Sequence, residues 1–260
     1  MSAGRLVGVG VGPGDPELVT LKAVRVLRAA EVVFVPVAAS GEVGRAEAVV
    51  AAHVDPASVR RLVFSLDPSD TERDRSWERS AAAVAGALAG APPWATAAFA
   101  TIGDPSVYST FTYLAQRVSA LLPGLEIEVV PGVTAMQDLA ARSGIPLVVG
   151  SERLALLPLV AGTGALAHAL AQHDTVVCYK GGARLPELLD VIGRAGRLDH
   201  TVYGARLGLP DEQVCPASEM EGCRGPYLST LIVYPDRRVR GLQAIAQPDR
   251  RVRGLTAEAG

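Results

Sequence analysis

Twice in its first half the chain lets a short apolar run stop at glycine and then continues with Asp-Pro. RLVGVGVG (5–12) leads into Gly14-Asp15-Pro16, and the run 94–101 leads through Ile102 into Gly103-Asp104-Pro105. Apolar runs without alternation suit strands covered on both faces, as in parallel sheets. Asp-Pro after such a run predicts a helix start, because the carboxylate accepts a backbone N–H and proline fits the first turn. After the first device, Leu18, Leu21, Val24 and Leu27 recur at helical spacing up to Ala30, and EVVFVP (31–36) is again a continuous β-branched run. Strand, helix and strand in this length make a βαβ unit with an expected right-handed crossover. The chain is therefore read as α/β, with its ligand off the carboxyl ends of the strands. Glycine permits close backbone approach there, and a helix start presents N–H groups.

The remaining elements follow from the same signals. Residues 37–80 read as irregular apart from a strand-like RRLVFSL (60–66); an Ala-rich helix is expected over 77–91 and another from Pro105 to about Leu122. Pro123-Gly124 marks the expected boundary between an N-terminal α/β domain (1–122) and a C-terminal α/β domain (123–235). In the second domain, strands fit 126–130, 175–180, 200–206 and 227–234, with a helix over 185–195. Thr134 with Gln137 reads as a capping box, and Gly144 as the stop of the helix it opens. The octapeptide PDRRVRGL occurs at 235–242 and again at 248–255, a period too short for a solenoid. The tail 236–260 is read as a flexible surface extension; a basic arm presenting six arginines to an anionic partner is the alternative.

Composition removes several classes of function. With 260 residues, 49% of them apolar, the chain can bury a sizeable core. A net charge of -2 argues against a general nucleic-acid binder. Lys22 and Lys180 are the only lysines among 25 basic residues. The three cysteines form no Cys-x-x-Cys pair, and His168 and His173 are five apart, so neither a disulfide framework nor a metal site is expected. No apolar run reaches the length of a membrane span and no signal-peptide pattern opens the chain, so a cytoplasmic protein is expected. The dinucleotide fingerprint G-x-G-x-x-G fails: counted from Gly8 its sixth position is Pro13, and counted from Gly10 it is Asp15. A phosphate-binding loop of the Gly-Lys-Ser/Thr type is also missing.

GVGVGPGDPELVTLKAVRVLRAAEVVFVP, ATIGDPSVYST and VVPGVTAMQDLAARSGIPL stand in that order along the chain. Together they resemble the tetrapyrrole methylase family, the S-adenosylmethionine-dependent methyltransferases of corrin and siroheme synthesis, over residues 5 to about 235. The segments SERLALLP (151–158), GDPSVYSTFTYL and YLSTLIVY (227–234) are most similar to members that methylate C20 of precorrin-2. The resemblance implies two α/β domains with the cofactor in a cleft between them, precorrin-2 as substrate, precorrin-3A as product on the way to cobalamin, and a homodimer. Carried over by position, Pro13, Ile102, Gly103, Asp104, Val133, Thr134 and Ala135 would contact the cofactor. Tyr179 and Lys180 would lie over it, and Ala205, Ser229, Thr230 and Leu231 by its adenine. Lys180 departs from the family, whose members often place an apolar residue such as methionine there. Gly12, Gly14, Asp15 and Arg153 would meet the substrate, whose carboxylates call for cationic side chains. Arg60, Arg61, Arg73, Arg75 and Arg79 are further candidates, each with a plain reading as a solvated surface charge.

Methyl transfer from a sulfonium needs mainly positioning, which can supply on the order of 7 kcal/mol of barrier reduction. Asp104 has two readings: a helix cap that also cradles the cofactor's ammonium, or a base for the C20 proton. Tyr108 either faces the site or packs. Three rival functions remain at this point: the same reaction on the cobalt-containing substrate, a non-catalytic binding protein on the same fold, and a dinucleotide-dependent oxidoreductase.

Overall fold

The computed structural model describes residues 4–38, 43–65, 70–92, 94–159 and 162–237. They form two compact units. The first contains the residues up to Ala135 together with Leu207–Asp211; the second contains Met136–Arg206 and the described residues from Glu212 onward.

The first unit runs β1 (Arg5–Gly10), α1 (Leu21–Ala29), β2 (Val32–Val37), α2 (Arg45–Val50), β3 (Val59–Val63), α3 (Asp70–Leu88), β4 (Thr96–Thr101), α4 (Phe111–Leu121), β5 (Glu126–Val130). All five strands pair in parallel, in the order β3-β2-β4-β1-β5. The unbroken apolar runs have the cause expected of them. Leu6 packs with Phe34, Phe99, Leu114 and Val118 on one face, while Val7 and Val9 pack with Val33, Ala98, Leu27 and Val49 on the other. Successive residues of one strand thus feed two cores, one under α3 and α4 and one under α1 and α2.

Three boundaries differ from the sequence reading, each for a local reason. Helix α1 starts at Leu21, not at Pro16, because Thr20 provides a second cap, its Oγ1 accepting the Ala23 N–H at 3.2 Å. Asp15 caps only a 3-10 turn, Pro16–Leu18, through the Glu17 N–H at 2.8 Å. Likewise α4 begins at Phe111 rather than at Pro105, so Tyr108 precedes the helix. Tyr108 has a left-handed backbone (φ 49) that a helix cannot continue through. Finally, β5 lies beyond the expected boundary at 122/123 yet pairs with β1; Pro123-Gly124, with Gly124 at φ 90, only turns the chain from α4 into β5. Helix α2 lies in the stretch read as irregular, and α3 opens seven residues before its expected start.

Helix α5 (Ala135–Ser143) leads into the second unit, followed by β6 (Leu154–Pro158), α6 (Gly164–Gln172), β7 (Thr175–Tyr179), α7 (Leu185–Arg194), β8 (Thr201–Ala205), β9 (Gln213–Pro216) and β10 (Ser229–Val233). The sheet order is β6-β7-β10-β8-β9, with β6 and β7 parallel and the other neighbours antiparallel. Leu166, Leu185, Leu188 and Ile192 of α6 and α7 pack with Cys178, Tyr203 and Leu231 of the sheet. Leu139 of α5 covers Gly204, where a Cβ would lie 2.6 Å from its Cδ1. Gly144 (φ 62) ends α5 as expected, with Ile145 N–H returning to the Ala140 carbonyl at 2.9 Å. The predicted strands 175–180, 200–206 and 227–234 are β7, β8 and β10, whereas β6, α6 and β9 have no counterpart in the sequence reading.

Of the tail, residues 238–260, and with them the second copy of PDRRVRGL, lie outside the described residues. Arg237 in the first copy is fixed. Its guanidinium donates to Glu152 at 3.0 and 2.6 Å and to the carbonyls of Pro146 and Leu147 at 2.5 and 3.2 Å.

Gly8 tests the two-faced packing of β1. A Cβ there would come within 2.5 Å of the Phe111 ring. Gly8→Ala is expected to destabilise the protein by about 1–3 kcal/mol through overpacking, read as a lowered denaturation midpoint with an unchanged far-ultraviolet spectrum.

Candidate functional site

The carboxyl ends of β1, β4 and β5 meet through glycine. The Gly103 N–H donates to the Gly12 carbonyl at 2.7 Å, forming an isolated antiparallel bridge between the loops after β1 and β4. A Cβ on Gly10 would lie 2.5 Å from the Gly103 carbonyl oxygen and 2.6 Å from the Gly132 nitrogen. A Cβ on Gly132 would collide with the Gly103 oxygen and the Gly10 backbone. Three backbones therefore touch where no side chain can fit. Gly103 differs from the other two. Its φ is 71, and a Cβ would meet nothing nearer than the Thr134 Cα at 4.0 Å.

Asp104 holds this junction. One carboxylate oxygen accepts the Ser106 N–H at 2.7 Å and the Ser106 hydroxyl at 2.5 Å; the other accepts the Gly132 N–H at 2.9 Å. Burial alone would raise the carboxyl's pKa. The hydrogen bonds from the Ser106 side chain and from the Gly132 and Ser106 backbones outweigh it and hold the group below its ordinary value. Asp104 thus closes a turn and ties two strand ends. Ser109 continues the turn, donating to Thr101 Oγ1 at 3.1 Å and accepting the Phe111 N–H at 3.1 Å. Tyr108 is 39% exposed, and partial burial raises its phenol pKa, so it keeps its proton at neutral pH.

The loop after β1 is seated against 207–211 of the same unit. A Cβ on Gly14 would strike the Leu207 carbonyl, and one on Gly208 (φ 73) would strike the Asp15 nitrogen. The first unit thus gathers Gly12, Pro13, Gly14 and Asp15 on one loop, Ile102, Gly103, Asp104 and Tyr108 on the next, and Val133, Thr134 and Ala135 after β5.

In the second unit, Tyr179, Lys180, Ala205, Ser229 and Thr230 share one sheet edge. Ser229 is in register with Ala205, and Thr230 with Tyr179. The Tyr179 hydroxyl accepts the Met136 N–H at 2.8 Å, fixing the first turn of α5 to the end of β7. The side chain of Leu231 faces the core. Arg153 sits elsewhere. It precedes β6, whose start is in register with Thr175, so it lies at the opposite edge of the sheet, where its N–H meets Asp174 at 2.8 Å. Arg61 is bonded to Glu47 at 2.7 Å, Arg79 to Glu72 at 2.8 Å, and Arg75 lies 4.0 Å from Glu72; these sit on the surface, as does Arg60. Arg73 lies on the exposed side of α3.

Sequence reasoning missed Ser106, Gly10, Gly132 and Gly208 as parts of the site. The alternating glycines of GVGVG were the available signal for Gly10; nothing local marked Gly208, whose role depends on a contact nearly 200 positions away. Among the described residues, no group of three or more His, Cys, Asp or Glu could hold a metal ion, and no helix is long and apolar enough to cross a membrane.

The sequence profile of the tetrapyrrole (corrin/porphyrin) methylases matches residues 5–221. A precorrin-2 C(20)-methyltransferase from Sinorhizobium sp is 34% identical over 242 residues, covering 90% of this chain and 96% of that protein. A cobalt-precorrin-2 C(20)-methyltransferase from Salmonella typhimurium is 30% identical over 233 residues, covering 88% and 96%. A uroporphyrin-III C-methyl transferase from Thermus thermophilus, solved complexed with S-adenosyl homocysteine, superposes with a TM-score of 0.58 at 26% identity, covering 88% of this chain and 97% of that one. A putative cobalamin synthesis related protein from Corynebacterium diphtheriae shares the fold, with a TM-score of 0.64, 21% identity and coverage of 89% and 98%.

The Asp104 junction gives a pH prediction. A carboxyl held below its ordinary pKa stabilises the fold above its unfolded pKa and loses that contribution as pH falls through its folded pKa. Asp104→Asn is expected to be less stable than wild type at neutral pH by about 1–3 kcal/mol, with the difference shrinking on acidification below the ordinary carboxylate range. Thermal denaturation of both proteins across pH checks this; a difference that stays constant with pH would show that the carboxylate is not the cause.

Proposed function

Because the chain belongs to the tetrapyrrole (corrin/porphyrin) methylase family, we propose that it is an S-adenosylmethionine-dependent methyltransferase that methylates C20 of precorrin-2, giving precorrin-3A in cobalamin biosynthesis. One structural observation carries the cofactor assignment. Gly103 alone of three interlocked glycines has open space where its side chain would be, in a backbone conformation that glycine adopts without strain.

The residues fit the group. Pro13, Ile102, Gly103, Asp104, Val133, Thr134 and Ala135 would hold the amino-acid part, and Tyr179, Lys180, Ala205, Ser229 and Thr230 the remainder; Leu231, whose side chain is in the core, drops out of the set. When bound, the cofactor supplies an electrophilic methyl group on a sulfonium. The chain's own contribution is to fix geometry. Asp104, ionised and bonded through both oxygens, holds the Gly103 turn rigid and presents negative charge that suits an ammonium. That engagement favours the cap-and-cradle role over the role of base. Tyr108, which keeps its phenolic proton at neutral pH, would donate a hydrogen bond rather than accept the C20 proton. Gly12, Gly14 and Asp15 form the loop assigned to the tetrapyrrole. Arg153, at the far edge of its sheet from Tyr179, is the weakest member of the substrate set.

The same reaction on the cobalt-containing substrate is a second reading, supported by the likeness to the Salmonella typhimurium protein. Cytoplasmic location and a homodimer complete the proposal; light scattering of the purified chain at twice its mass supports the dimer, and a monomer removes it.

Calorimetry with S-adenosylhomocysteine tests the reading. Wild type is expected to bind, and Gly103→Val to lose at least about tenfold in affinity while remaining folded, since its side chain fills the open space. Methylation of precorrin-2 with and without cobalt then assigns the substrate. No binding by wild type would sink the proposal.

A further inference from the structure

We propose that two copies of this chain join through β5, edge to edge and antiparallel about a two-fold axis, an inference that rests on the homodimer reading. Strand β5 is the last of the first sheet and pairs with β1 on one side. Among the described residues the other edge strands carry features that discourage pairing. Strand β3 exposes Arg60 and Arg61, and β6 and β9 end in Pro158 and Pro216. Strand β5 instead leaves Ile127 and Val129 39% and 44% exposed. Ile127 is in register with Leu6 and Val129 with Gly8, so both side chains lie on the face that α4 covers. The ladder also sets which backbone groups point out. The Glu126 N–H donates to the Gly4 carbonyl at 3.1 Å, so Glu126 and Glu128 bond inward to β1. Ile127 and Val129 then aim N–H and C=O outward, and nothing among the described residues takes those groups up.

The strand is complementary to itself. A two-fold axis at Glu128 sets Ile127 opposite the partner's Val129, and Val129 opposite the partner's Ile127. These are the outward-bonding residues, so each pair exchanges two hydrogen bonds. Their side chains meet on one face, β-branched against β-branched, a favourable cross-strand pairing. On the other face Glu126 stands opposite the partner's Val130, and Glu128 opposite the partner's Glu128. That like-charge pair is compensated, because each Glu128 brings Arg5 at 3.2 Å and Lys22 at 2.9 Å. The joined cluster holds four cations and two carboxylates. Moving the axis to Ile127 would set Glu126 against the partner's Glu128 twice. Moving it to Val129 would bring Pro131, which has no N–H, into the ladder. The axis at Glu128 avoids both. Five residues a side fall short of the roughly 1,200–2,000 Å² that stable interfaces bury, so flanking surface must join. Exposed apolar side chains are present on both flanks: Leu21, beside Lys22 on α1, and Leu121, at the end of α4. Val130 leads through Pro131 to Gly132, whose N–H binds Asp104 at 2.9 Å, so the pairing would hold that junction's third strand from both sides.

Sedimentation velocity of the full chain over a range of concentrations reads the association, and amide hydrogen exchange reads the strand. Wild type is expected to run as a dimer with the Ile127 and Val129 amides protected. Ile127→Lys joined to Val129→Lys sets lysine against lysine at both pairs. It is expected to raise the dimer dissociation constant at least about tenfold, with an unchanged far-ultraviolet spectrum. Ile127→Lys joined to Val129→Glu sets opposite charges at the same two pairs and is expected to recover most of the association. Three results overturn this inference and leave the homodimer reading intact. One is a wild-type dimer whose Ile127 and Val129 amides exchange as fast as free edge groups, a reading that needs no variant to fold. Another is a dissociation constant within about twofold of wild type for Ile127→Lys/Val129→Lys. The third is an Ile127→Lys/Val129→Glu variant that associates no better than the Ile127→Lys/Val129→Lys one. A wild type that stays monomeric overturns the homodimer reading and this inference together.

Discussion

A single buried carboxylate organises the carboxyl edge of the first sheet. Asp104 reaches its own turn through Ser106 and a different strand's loop through Gly132, so the ends of β4 and β5 cannot move independently. The loop after β1 is joined to the same point through the bridge from Gly12 to Gly103. Hydrogen bonds to an ionised acceptor are stronger than neutral ones, and they are worth most where water is excluded. The glycines are the geometric condition for that carboxylate to work. Any Cβ at Gly10 or Gly132 would push the strands apart and lengthen the bond from the Gly132 N–H.

The second unit solves a different problem with a mixed sheet. Its candidate residues are set by register rather than by a glycine junction: Ser229 opposite Ala205, Thr230 opposite Tyr179. Tyr179 then fixes α5 through Met136, so the helix that follows the Pro131–Thr134 turn is anchored by a strand of its own unit. One sheet thus offers a rigid backbone turn and the other a row of strand ends.

The unbroken valine and alanine runs disclosed the parallel sheet directly, because a strand covered on both faces has no polar side to show. Glycine followed by Asp-Pro disclosed the loops that close the carboxyl edge of that sheet, and motif likeness disclosed the family. What stayed hidden depended on competition between neighbours. Thr20 takes the cap of α1 from Asp15 only once the chain has turned. Asp104 caps a turn rather than a helix because Tyr108, four residues on, takes a left-handed backbone that a helix cannot continue through. Strand β5 was placed in the wrong half because Pro123-Gly124 signals a turn equally well inside a unit as between units. That Arg153 lies at the edge away from Tyr179 depends on which end of β6 faces which edge, and no local pattern announces that.

The Gly14–Leu207 and Gly208–Asp15 contacts give the first unit a seam in time as well as in space. During synthesis, the loop after β1 emerges nearly 200 residues before the short segment it rests on. Between them the chain must build α5 and most of a second sheet. The first sheet can pair early, but its glycine loop has no seat until residue 208 has left the ribosome. A contact of such high sequence separation bears its loop-closure entropy late. A fragment that stops at Ala135 would therefore carry the strands of the first unit without the surface its Gly-Pro-Gly loop is shaped against.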